Sequence, residues 1–141
     1  MSNINWVRVI LGGLLAGLVI NISGVVMAHF VLEPQYIEDF KSKMPPQSEM
    51  LMFVKHVSLR FWFGLLAMFI YAGFRPRFGP GPLTAIIAAA IVFLAAGLVI
   101  LLMLSDLGLL AGGRLWIAAT WTLAELIIAT LLGTWLYCEP A

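Results

Sequence analysis

Charge is what this sequence has least of. Only 11% of its 141 residues are Asp, Glu, Lys or Arg, and the formal net charge is +1. There is no basic arm and no acidic tail, which excludes nucleic acid as a partner. Cysteine is almost absent too. Cys138 alone excludes an intrachain disulfide and any Cys-x-x-Cys metal or haem-attachment motif. Near the end of the last apolar run it reads as an unmodified thiol, with lipidation as the alternative. No phosphate-loop pattern, nucleophile–base arrangement or metal-ligand cluster is visible. The N-terminus lacks the form of a cleaved signal peptide, because the apolar run after Arg8 exceeds the usual length and reads as a retained span.

What fills the chain instead is apolar sequence: 62% of residues are hydrophobic and the mean hydropathy is +1.03, which places it in a lipid bilayer. Runs long enough to cross a membrane cover about 7–32, 51–74, 83–104 and 114–137. Glu33-Pro34 closes the first. The second stops at Arg75-Pro76-Arg77-Phe78-Gly79-Pro80-Gly81-Pro82, a stretch read as a stiff non-helical turn. Ser105-Asp106 stops the third. The expected fold is all-α, a transmembrane antiparallel four-helix bundle forming a single domain. The recurrence of Ala16-Gly17-Leu18-Val19-Ile20 as Ala96-Gly97-Leu98-Val99-Ile100 suggests two tandem helical hairpins. The extramembrane connection 33–50 carries Ile37, Phe40 and Met44 at helical spacing between charges. It is either a short amphipathic helix on the membrane surface or an irregular polar loop, and Ser48 is placed to cap the second span.

Within the spans, polar residues are few and aligned. Gly13, Gly17, Asn21, Gly24 and Ala28 share one helical face. His56, Arg60, Gly64, Ala67 and Tyr71 share a second, and Ala118, Thr122, Glu125, Ala129 and Gly133 a third. Small faces let membrane helices approach closely, so these three stripes are expected to face one another. Arg60 and Glu125 each lie about 17 Å from a Tyr at the membrane interface, at 1.5 Å rise per residue, and Asn21 lies at a comparable depth from Arg8. A carboxylate at mid-membrane is costly unless compensated. The expectation is therefore a cluster of Asn21, Arg60 and Glu125, with Arg60 paired directly to Glu125. Such a cluster is either a clasp, costly to break even where it does no chemistry, or a site for a ligand, ion or proton. The third reading is that each charge pairs with another subunit.

His29 and His56 sit toward the same membrane face and are candidate ligands for haem or chlorophyll, although His29 lies about 80° from Asn21 around its helix. Interfacial histidines bonded to water or headgroups are the plainer reading, with no cofactor. Trp6, Trp116 and Trp135 suit aromatic belts, while Trp62 and Trp121 fall deeper and are expected to fill packing space. Positive charge divides almost evenly between the two sides: Arg8, Arg75 and Arg77 against Lys41, Lys43, Lys55 and Arg114. The dense Arg pair in the tight turn favours both termini in the cytoplasm.

Two stretches carry a resemblance. Asn5 to Leu14, continuing through Ala16 to Asn21, and Arg75 to Pro82 resemble segments of bacterial four-helix integral membrane proteins that have no assigned activity, and the tail around Trp135-Leu136-Tyr137 looks similar. The resemblance implies a bacterial inner (cytoplasmic) membrane and four spans. In those proteins an acidic residue follows the Asn of the first span, where this chain has Ser23-Gly24-Val25. The leading functional expectation is a non-enzymatic accessory or scaffold subunit that contacts lipid and other membrane subunits or further copies of itself. The alternatives are a small transporter or sensor using the Arg60, Glu125 and Asn21 site, and a haem- or chlorophyll-binding subunit.

Overall fold

The computed structural model describes residues 4–110 and 112–137, so Cys138 lies outside the described residues. Five helices follow in order: α1 (Trp6–Phe30), α2 (Pro34–Lys43), α3 (Glu49–Phe78), α4 (Pro82–Asp106) and α5 (Gly113–Leu136). All except α2 are long and apolar enough to cross a membrane, and the chain is a multi-pass membrane protein. The bundle is antiparallel. α1 packs on α3 and α5, and α4 packs on the same two helices from the opposite side. The hairpins α1/α3 and α4/α5 thus lie side by side.

Local chemistry sets most boundaries. The Asn5 side chain accepts from the Arg8 N–H at 3.2 Å, and Ser48 Oγ accepts from the Leu51 N–H at 3.2 Å, capping α1 and α3. Pro34 and Pro82 occupy first-turn positions, where a missing N–H costs nothing. α3 runs further than the sequence reading allowed: Arg75 to Phe78 are helical, with Pro76 inside the last turn. So near the C-terminus, proline disturbs only one turn. The stop comes at Gly79, whose φ of 80° takes the chain out of the helix while its N–H still bonds Arg75 O at 2.9 Å. The connection 33–50 contains the amphipathic helix. It folds across the loop joining α4 to α5, with Tyr36 Oη donating to Leu109 O at 2.9 Å and Lys43 Nζ to Gly108 O at 3.0 Å. Arg114 completes this clamp, 3.3 Å from Glu33 Oε2 and 4.8 Å above the Tyr36 ring.

In α1, α3 and α4 the core lies toward one end of the bundle, while α5 is buried at intervals along its length from Ala118 to Gly133. Buried residues run from Val9 to Ile20 in α1, from Gly64 to Ala72 in α3 and from Thr84 to Gly97 in α4. Glycines seal this end. A Cβ at Gly64 would lie 2.5 Å from Gly13 O, and one at Gly12 would lie 2.7 Å from Gly133 O. Backbones this close gain dispersion contacts that lipid would otherwise supply. A T-shaped Tyr71–Tyr137 pair closes the end, with Arg75 stacked 5.4 Å from the Tyr137 ring. Toward α2 the bundle loosens. α3 packs on Pro82–Val92 of α4, and the two part beyond Phe93 while α4 keeps following α5. The parting coincides with a π-helical segment, Phe93–Gly97, in which Leu98 N–H reaches back to Phe93 O. One extra residue per turn shifts the helix face, and such bulges frequently accompany functional sites.

Candidate functional site

The small-residue stripes of α1 and α3 meet and set the position of Arg60, whereas Gly133 of the α5 stripe packs on Gly12 and Ala16, beside the α1 stripe and not on it. α1 and α3 cross at Gly13, Gly17 and Gly64, which brings Arg60 of α3 against the α1 backbone one turn further along. Gly24 makes the room, since a Cβ there would overlap the guanidinium. Arg60 Nη1 donates to Ile20 O at 2.7 Å and lies 3.9 Å from Glu125 Oε2 of α5. That distance is an ion pair but too long for a hydrogen bond. Glu125 Oε2 is buried and, among the described residues, has no hydrogen-bond partner. The polar groups facing the Glu125 carboxyl are the Ser23 hydroxyl, the Arg60 guanidinium and the Trp121 indole. Trp121 Nε1 in turn donates to Ser23 Oγ at 2.9 Å, tying α5 to α1.

Beside the pair is a cavity of about 160 Å³ between α3, α4 and α5. Arg60, Glu125, Thr122 and His56 supply its polar lining, and Gly97 of the π segment forms part of its wall. The rest is aliphatic or aromatic. Arg60 keeps 29% of its side chain exposed against 11% for Glu125, so the guanidinium presents the more accessible polar surface. A loosely paired cation and carboxylate in an apolar surrounding offer a donor and an acceptor to whatever enters.

Function has to be read from this site. No protein-family profile matches the chain, and no curated protein or solved structure is similar enough to count as a relative.

Of the residues singled out from sequence, Arg60 and Glu125 come together. Asn21 does not join them. Its Nδ2 donates to Gly17 O at 2.8 Å and to Val57 O at 3.5 Å, fastening α1 to α3. It points along the α1–α3 seam, and Ser23, two residues on, takes the place expected for it. His56 sits on the cavity wall with Nδ1 3.1 Å from Met52 O. His29 is exposed in the last turn of α1, packed near Phe30, and does not line the cavity. The two histidines therefore do not share this cavity. Among the described residues there is no group of three or more His, Cys, Asp and Glu that could hold a metal ion. Trp62 is a correction: 69% exposed, it faces outward instead of filling the interior. Sequence reasoning missed the Trp121–Ser23 bond, for which a mid-span indole N–H needing an acceptor was the available signal. It also missed the π segment, for which apolar sequence carries no signal.

Proposed function

We propose that this is a non-enzymatic bacterial membrane protein, with both termini cytoplasmic, that binds a small uncharged polar group at Arg60 and Glu125. The observation that carries the reading is the cavity itself. A clasp needs only the two charges closed on each other, whereas here they stand 3.9 Å apart on the wall of a space large enough for several waters or a ligand group. The helices also part beside it, which leaves a lateral route from the bilayer. Sensing or carrying that ligand follows more naturally from this geometry than a purely structural pair does.

The test replaces both charges at once. Arg60→Met with Glu125→Met removes the polar lining without leaving an uncompensated charge, a kind of exchange that is often neutral or stabilising for a buried pair. Native mass spectrometry of protein extracted in mild detergent should show a small molecule retained by the wild type and lost from the folded double variant. Equal retention by both, or none by the wild type, would sink the proposal.

The accessory-subunit reading has its own support. In the most apolar part of each span only 28–33% of residues are buried within the chain, and the outer face of α3 exposes Met50, Phe53 and Trp62. Stoichiometric co-purification of another membrane protein from native membranes would favour that role.

A further inference from the structure

The outward face of α3 carries polar groups that its own chain leaves unused. Leu51, Ser58, Trp62 and Phe69 fall on one stripe of this helix and are all exposed. Trp62 lies near the middle of the 30-residue helix, two residues from Arg60. Among the described residues, neither its indole N–H nor the Ser58 hydroxyl has a hydrogen-bond partner. Elsewhere in the spans Thr120, Thr130 and Thr134 each donate to a carbonyl of their own helix, and Ser23 accepts from Trp121. Hydrocarbon offers the Trp62 N–H no acceptor, and the interfacial groups that serve belt tryptophans are out of reach at this depth.

We propose that the outward stripe of α3 is the interface of a homodimer, in which Trp62 Nε1 of each copy donates to Ser58 Oγ of the other.

Self-complementarity selects a second copy as the partner. One stripe holds both a donor and an acceptor, so a two-fold pairing satisfies both pairs with no group from elsewhere. Copies inserted in the same direction are related by an axis along the membrane normal. That axis sets α3 parallel to its counterpart, with equal-numbered residues at equal depth. Side chains on a helix lean toward its N-terminus, so Trp62 is carried toward the level of Ser58, one turn earlier. The chain already makes this bond once, where Trp121 reaches Ser23 across α5 and α1 at 2.9 Å. Leu51, Leu66 and Phe69, exposed along the same side, add the packing contacts that associate helices in lipid. Lys55 shares the stripe but lies nearer the membrane surface, where its ammonium donates to Gln47 Oε1 at 3.1 Å, away from the crossing.

Copies carrying a donor or an acceptor fluorophore at the N-terminus are reconstituted together in phosphatidylcholine vesicles, and energy transfer is followed as added lipid dilutes the protein. The wild type should follow a monomer–dimer curve. Trp62→Phe keeps a ring and loses the N–H, and it should weaken association about fivefold or more because two bonds are lost per dimer. Ser58→Ala should weaken it equally, and the double variant no further than either alone, since all three remove the same bonds. Ser58→Thr, which keeps the hydroxyl, should associate like the wild type, and with Ser58→Ala it carries the test should Trp62→Phe fail to fold. Trp116→Phe, as exposed on α5 as Trp62 is on α3, should change nothing. None of these substitutions touches Arg60 or Glu125, so the result is independent of the cavity. A wild type that stays monomeric at every dilution would overturn the dimer. Additive losses, undiminished association of Ser58→Ala, or an equal loss from Trp116→Phe would overturn the Trp62–Ser58 bond and the proposal with it.

Discussion

The two ends of the bundle solve the same packing problem in opposite ways. At the end holding the Gly79–Gly81 turn, small residues let backbones touch, and Met68, Thr84 and Thr130 are fully enclosed. At the end toward α2, α3 and α4 separate, and Arg60, Glu125 and the cavity occupy the space. Hydrocarbon supplies no hydrophobic force to pull helices together, so close packing is the main cohesion available to them. One end supplies that cohesion, which leaves the other able to keep a cavity and a loosely joined ion pair. Tightness at one end is what makes looseness at the other tolerable.

The most damaging challenge to this division is Gly64→Leu. The added side chain would meet the Gly13 and Gly17 backbone, and forcing α1 from α3 should abolish or severely weaken the fold, beyond the usual overpacking cost of about 1–3 kcal/mol. Gly73→Leu on the same helix, where nothing lies within 4 Å of the new Cβ, should be nearly silent. Comparable losses from both in a detergent unfolding titration would refute the glycine seam.

At the open end, removing one charge should cost less. Arg60→Met or Glu125→Met alone strands a charge, and about 3 kcal/mol is an upper estimate because Arg60 keeps access to the cavity. The double variant should recover most of that loss, and additive losses would mean that the two residues do not act as a pair. Trp121→Phe removes the bond to Ser23 and should destabilise by about 1 kcal/mol. An unchanged melting temperature would show that the α5–α1 tie contributes nothing.

The smallest effect concerns the α2 clamp. Burial pushes the Tyr36 hydroxyl above its ordinary value, and Arg114 partly opposes the shift. The folded state thus holds this proton more tightly than the unfolded chain does. Its contribution is complete below about pH 10 and is lost as pH rises through the folded value. Protection of the loop 107–110 against hydrogen exchange, taken relative to the intrinsic rate at each pH, should fall only in that alkaline range, and Tyr36→Phe should lower it at all pH values. Identical pH profiles for the two proteins would show that Tyr36 does not hold the loop.

Much of this is legible in the sequence. Hydrophobic runs located four spans to within a few residues, because span length follows from bilayer thickness and helical rise. Small-residue periodicity identified the faces that meet, since a stripe of glycine on a membrane helix has few other uses. The pairing of Arg60 with Glu125 followed from matched depth and the cost of an isolated charge. Asn21 was misplaced because a stripe fixes which side of a helix a residue occupies only to within a quadrant or so. An amide can satisfy itself on the nearest backbone carbonyls, and here Gly17 and Val57 were nearer than the carboxylate. Arg75 to Phe78 were misread because proline's effect depends on its place in the helix, and the true stop was the glycine that followed.

Composition and periodicity by themselves determined that this chain crosses a membrane four times, with glycine faces turned inward and two opposite charges at one depth. Those features depend on each helix meeting the bilayer individually. Only the tertiary structure decided that α4 departs from α3 at Phe93 and that the charges stand apart on a cavity wall. Gaps between helices depend on how three or four surfaces fit together, and no single stretch of sequence encodes that fit.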